Sequence, residues 1–141
     1  EYILLKKGRL EPEEFEIMKL HVDIGKRSLR ELLGKYKNNE FIKISFELTA
    51  YHHEKWDGSG YPDGICGQDI PLSARIMALA DVYDTLRSKR SYKELHTHEQ
   101  SVHLIKKDGG VRFDPSVVKA FSNIESRFAD IFEAMKEGGT N

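Results

Sequence analysis

Residues 52–86 read HHEKWDGSGYPDGICGQDIPLSARIMALADVYDTL, and the contrast between the two halves of that stretch decides the fold. The second half, opening at Pro71, is apolar on nearly every side of a helical wheel, so the spacing predicts a helix at the centre of a helical core. Proline suits the first helical position because the amide it lacks would find no partner there. The first half, from Lys55 to Ile70, holds Gly58, Gly60, Gly64, Gly67 and Pro62. That is loop chemistry at a length seldom kept without purpose, and its glycines predict a mobile segment from Trp56 to Gly67.

Working outward, apolar residues recur at three and four spacings and strict alternation never persists, which predicts an almost wholly helical chain. Upstream, Pro12 with Glu13 and Glu14 starts a helix to about His21, and a second runs from Asp23 to Leu33 before Gly34. After the polar break Lys35–Asn39, a third helix spans Glu40 to about His53. Downstream, Thr97 and Gln100 form a capping-box signature for a helix to about Lys107, which Gly109 and Gly110 end. Asp114 and Pro115 open another, and Ile124 to Lys136 reads as a last amphipathic helix. Residues 1–137 are therefore expected to form one all-α domain with a frayed tail at 138–141.

Composition narrows the function. The 141 residues carry 22 Lys+Arg against 23 Asp+Glu, a formal net charge of -1, so no basic field favours a nucleic-acid polymer. The apolar runs fall short of the roughly 18 residues a membrane span needs. A single cysteine, Cys66, excludes an intrachain disulfide and suits a reducing cytoplasm. The chain opens at Glu1 inside sequence that already reads as structured, which suggests a piece of something longer.

The candidate chemistry lies in inward-facing polar residues. On the third helix Glu40, Lys43, Glu47 and Glu54 share a polar arc, while His52 and His53 fall on the apolar one. One such histidine is ordinarily a hydrogen-bonded core residue; two together are harder to dismiss. Adjacent helical residues diverge by about 100°, which points to two neighbouring metal positions or to a ligand beside a supporting group. His21 falls beside Ile17 and Met18, and Asp81 lies on the face of Ala74, Met77 and Ala78. A carboxylate there needs a cation, either Arg75 or a metal ion. Three imidazoles and a carboxylate form a set suited to Fe, Mn or Zn. The run Arg87–Lys93 reads either as a solvated basic stretch or as a phosphate clamp through Arg90 and Lys93. His96, His98 and His103 read as surface residues, Trp56 as a lid over a small core, and Cys66 as incidental.

The stretch 52–86 resembles the HD-GYP family of bacterial cyclic di-GMP phosphodiesterases, a branch of the HD metal-dependent phosphohydrolases. KKGRLEPEEFEIMKLHVDIG upstream and FDPSVVKAF downstream are similar to further family segments, so the likeness runs from Ile3 to about Phe121. It implies an HD-type helical bundle lacking its N-terminal part, with His21, His52, His53 and Asp81 as metal ligands and Asp81 as catalytic. It also implies two or more divalent ions in the complete domain, Gly60-Tyr61-Pro62 beside the substrate, and Arg90 and Lys93 on its phosphates. A His-Asp pair that the family carries upstream is absent from this chain, so the resemblance implies an incomplete site. SKRSYK also departs from the family at Lys89 and Ser91, and Glu11 stands where Thr is frequent.

Three readings follow from the residues and the resemblance. The first is part of a metal-dependent phosphodiesterase acting on cyclic di-GMP. The second is a non-catalytic module that binds a cyclic dinucleotide or docks a GGDEF-type diguanylate cyclase through Gly60-Tyr61-Pro62. The third is a plain helical interaction domain. Loss of a preceding helix would bare Phe15 and Phe41, a route to a homodimer.

Overall fold

A computed structural model describes residues 3, 6, 8–88 and 95–138. Among these residues the chain is helical without a β-strand: α1 Pro12–Lys35, α2 Glu40–Tyr51, α3 Leu72–Arg87, α4 His98–Lys107 and α5 Pro115–Gly138, plus a short 3-10 turn at Gly67–Asp69. The all-α expectation holds, but two of its boundaries dissolve. The helices expected on either side of Val22 are one, because nothing at residues 22–23 breaks the backbone and Val22 is fully buried against α2. Gly34 sits inside the last turn, and the helix closes at Tyr36, whose amide donates to the Leu32 carbonyl. Likewise α5 runs unbroken through Ile124, since Val118, Phe121, Phe128 and Phe132 continue one apolar face.

Capping chemistry sets the other ends. The Asn39 side chain accepts the Ile42 amide at 3.1 Å to start α2, and Thr97 and Gln100 cap α4 reciprocally at 3.2 and 2.9 Å. Glu11 is tolerated before α1 because Glu14 reaches back to accept its amide at 2.8 Å.

The core lies between α3, α4 and α5, where Leu79, Tyr83, Val102, Ile105, Phe113, Val118 and Phe121 are buried together. Tyr83 meets Phe121, Phe128 and Phe132 edge-on, the geometry aromatic quadrupoles favour. Its hydroxyl shares a hydrogen bond of 2.9 Å with His98 Nδ1, so His98 is a packing partner rather than the surface residue expected. The α3 helix is central in that it packs on α2, α4 and α5. It is not buried all round: Leu72 and Ile76 are each more than half exposed, because no described element covers that face.

α1 and α2 form an antiparallel pair across the turn at residues 36–39. They close tightly at Gly25, where an added Cβ would lie 2.3 Å from the Thr49 methyl. Four residues back from Gly25 on α1 stands His21, and four residues on from Thr49, just past the end of α2, stands His53.

A candidate metal centre at the end of α2

α2 ends at Tyr51, with His52 as its C-cap. The helical divergence expected between His52 and His53 therefore does not apply, because the chain turns at that point. Their rings lie 3.9 Å apart between centroids, and His21 stands 5.2 Å from His53 and 6.0 Å from His52. One ring nitrogen from each of the three lies within 4.8 Å of the others. His21 is exposed, contrary to the inward placement its wheel position suggests, because the face it shares with Ile17 is open.

The protonation pattern suits ligation. His21 Nδ1 lies 2.5 Å from the Met18 carbonyl and His52 Nδ1 lies 2.7 Å from that of Leu48. A carbonyl only accepts, so both Nδ1 atoms carry a proton and donate it, which makes Nε2 the nitrogen each ring can offer to a metal. Burial, helped by the nearby charges of His52, His21 and Arg112, pushes the His53 imidazole down to about 4, so it is neutral at pH 7. Three imidazoles with converging nitrogens fit a divalent ion such as Zn, Fe or Mn.

A cavity of about 290 Å³ adjoins this cluster, with His52, His53, Tyr61, Asp81 and Arg112 on its wall. Asp81 thus shares the cavity with two of the histidines but stands outside the tight cluster of three nitrogens. Arg75 does not neutralise it. The Arg75 guanidinium pairs with Asp114 at 2.5 Å, and Asp114 accepts from the amide and hydroxyl of Ser116. Burial raises the Asp114 carboxyl, but Ser116 and Arg75 together hold it below the usual range.

Tyr61 is the organic wall of the cavity. Its ring stacks on His53 at 4.8 Å and 28°, and Phe15 meets it edge-on at 5.9 Å. Burial, reinforced by the Asp81 charge, raises the phenol, so the hydroxyl keeps its proton and can donate. Glycine is required immediately before it. A Cβ on Gly60 would lie 2.4 to 2.6 Å from backbone atoms of Lys55, Glu54 and His53, none of which can yield. Only a bare Cα lets the loop press this close to the end of α2.

Glu54, expected on a polar arc, is buried with only 3% of its surface exposed. One oxygen accepts the Asp63 and Gly64 amides at 2.7 and 3.1 Å, while the other is buried without a partner. Burial raises its carboxyl, partly offset by those two amides. The same loop is tied to residues 111–112 by the Trp56 and Asp57 amides, at 3.1 and 3.0 Å, and to α1 by a Lys26–Asp63 ion pair at 2.7 Å. The segment expected to be mobile is therefore hydrogen-bonded on three sides. Trp56 stacks near the Arg75 guanidinium, 5.9 Å from its ring, which adds to that anchoring.

Glu54, Lys55 and Arg112 are cavity residues to which sequence reasoning gave no part in the site. The Glu-after-His-His position and the cation before the buried Phe113 are visible only once the helix end is known. Arg90 and Lys93 lie outside the described residues. Cys66 and His103 are exposed and stand apart from the site.

Fold and site together define a class: an all-helical bundle with a cluster of histidines beside a cavity that a carboxylate and an arginine also line. The chain belongs to the HD domain family, which it matches over residues 1–117. It is 49% identical over 132 residues to a probable cyclic di-GMP phosphodiesterase of Vibrio cholerae, covering 92% of this chain and 30% of that protein. It is 40% identical over 139 residues to a cyclic di-GMP phosphodiesterase of Thermotoga maritima, covering 99% of this chain and 36% of the relative. A 3'3'-cGAMP-specific phosphodiesterase of Vibrio cholerae shares 44% over 117 residues, 83% of this chain and 22% of its own length. The chain thus spans little more than a third of these relatives at most. The resemblance to HD-GYP phosphodiesterases is borne out by this company. None of the described helices is long and apolar enough to cross a membrane.

Proposed function

We propose that the chain is the C-terminal part of a metal-dependent phosphodiesterase domain that hydrolyses a cyclic dinucleotide, cyclic di-GMP foremost, in the cytoplasm. The observation that carries this reading is the convergence of three imidazole nitrogens within 4.8 Å beside a cavity that also holds Asp81 and Tyr61. Relatives named for cyclic di-GMP and for 3'3'-cGAMP support the substrate class.

In this reading His21, His52, His53 and Asp81 hold divalent Fe, Mn or Zn, with two or more ions in the complete domain. When bound, the ions supply Lewis acidity for attack of water on the phosphodiester and offset charge developing on its oxygens. The protein's own contribution is positional. The Nδ1–H bonds to Met18 and Leu48 lock two imidazoles in the ligating tautomer. Asp81 is the catalytic carboxylate, adding negative charge that lets cations sit close together. Tyr61, held by Gly60 and stacked on His53, orients the substrate through a hydroxyl that stays protonated. Arg90 and Lys93 contact phosphate oxygens. An upstream His-Asp pair completes the metal set. Gly60-Tyr61-Pro62 is also offered as a dock for a GGDEF-type cyclase, and the bare side chains of Phe15 and Phe41 support self-association into a homodimer.

The test is dinucleotide hydrolysis with Mn or Fe supplied, run side by side on this chain and on the protein extended upstream through a His-Asp pair. Expected are weak or no turnover by the short chain and metal-dependent turnover by the longer one, abolished by Asp81→Ala. Full activity in the short chain would overturn the ligand assignment. No activity in a metal-loaded longer protein would overturn the enzyme reading in favour of a binding module.

A further inference from the structure

Two cations line the cavity without a role above, Lys55, whose ammonium donates to Ser59 at 3.4 Å, and Arg112. Arg112 lines the same wall as His53, Tyr61 and Asp81, and its charge is felt at both His53 and Tyr61. The other arginines of this region are spent on partners: Arg75 on Asp114 and Arg87 on Glu133. Among the described residues no carboxylate pairs with the Arg112 guanidinium, and its contact there is the ring of Phe113 at 5.5 Å. An exposed guanidinium on a cavity wall without a counter-ion keeps its bidentate donors available for an anion.

Its backbone is also fixed, which separates it from an ordinary surface arginine. The Arg112 amide donates to the Asp108 carbonyl at 2.9 Å, and its own carbonyl accepts the Trp56 amide at 3.1 Å. Phe113, the next residue, is 2% exposed and anchors the turn in the core. The guanidinium therefore projects from a braced turn that is bonded to the same loop that carries Tyr61. Bracing of this kind lowers the ordering cost of each contact the side chain makes.

We propose that Arg112 is a phosphate-contacting residue, taking the non-bridging oxygens of a substrate phosphodiester seated in this cavity and so setting affinity for an anionic dinucleotide. This inference rests on the phosphodiesterase reading above and adds a residue and a role to it.

The test is calorimetric titration of cyclic di-GMP into this chain with manganese present, for the wild type, Arg112→Ala and Arg112→Lys. Metal binding and thermal melting are measured on each variant. Loss of a charge-assisted contact is expected to weaken binding by roughly tenfold to a hundredfold in Arg112→Ala. Arg112→Lys should recover part of that loss, because it keeps the charge without the fork. Metal binding and melting should stay at wild-type values in both. Wild-type binding with an unchanged Kd in Arg112→Ala would overturn the role of Arg112 alone. So would a loss accompanied by lower melting and no recovery in the lysine variant, which marks a structural residue. A wild type that takes up manganese but no dinucleotide would overturn the reading of the site itself, and this inference with it.

Discussion

α3, α4 and α5 enclose a core of seven buried side chains with four more packed against it, whereas α1 and α2 bury only Val22 and Ala50 between them. Phe41 is 80% exposed and Ile24 61%, and both lie in the weakly packed pair. The difference separates two jobs. The C-terminal three helices supply stability, since apolar burial is the dominant favourable contribution to folding. The candidate site spans the junction: His21 comes from α1, His52 and His53 from the end of α2, Asp81 from α3, and Arg112 from the turn before α5. Ligand binding there would tie the loosely packed pair to the firmly packed three.

Truncation should expose that contrast most sharply. Phe113→Ala, in the well-packed half, should cost about 3–5 kcal/mol of unfolding free energy. Phe41→Ala, in the bare half, should stay within about 0.5 kcal/mol of wild type. Urea titrations of the two variants check this, and equal losses would erase the distinction between the halves. Next in size is Asp114→Ala, which leaves Arg75 without its partner beside Trp56. Because the carboxylate is buried, a loss of about 3 kcal/mol is expected. The same change in Glu133, the exposed partner of Arg87, should cost well under about 1 kcal/mol.

A pH dependence sharpens the comparison at the junction. His53 titrates near 4 in the folded chain against an ordinary value of 6.5, so between those values the unfolded chain binds more protons. Its contribution to stability is therefore present in full above 6.5 and lost as pH falls toward 4. The urea midpoint of the metal-free protein should drop across that window, and His53→Gln should flatten the drop. A midpoint that rises on acidification, or an unchanged slope in the variant, would contradict this. The smallest effect is expected at the helix crossing. Gly25→Ala puts a methyl against Thr49, and these two positions stand four residues from His21 and His53, so it should weaken metal binding severalfold by spreading α1 from α2. Thr49→Ser, which removes the opposing methyl, should restore it in the double variant.

Much of the fold was legible because its signals are local. Pro12, Asn39, Thr97 with Gln100, and Asp114 with Pro115 each mark a helix start by a mechanism that needs no neighbour in space. What stayed hidden depends on tertiary contact. The continuity of α1 through Val22 is enforced by burial against α2, and that of α5 by Phe121 and Phe128 sharing one core. The helical wheel grouped Glu54 with Glu40 and Glu47, but a wheel assumes that the helix continues, and α2 stops three residues earlier. The same stop brings His52 and His53 together, so the pair was marked while its geometry was misjudged. The sequence left Asp81 to either Arg75 or a metal ion, and only the position of Asp114, 39 residues away from Arg75 in the chain, shows where that guanidinium goes.

Calorimetric titration of zinc into the metal-free 141-residue chain tests the central claim most directly, because three imidazoles whose ring nitrogens converge should bind it without any other part of the protein. Saturable binding is expected for the wild type and should be lost in the His52→Ala, His53→Ala double variant with melting otherwise preserved. Equal zinc binding in the double variant, or none in a folded wild type, would contradict it.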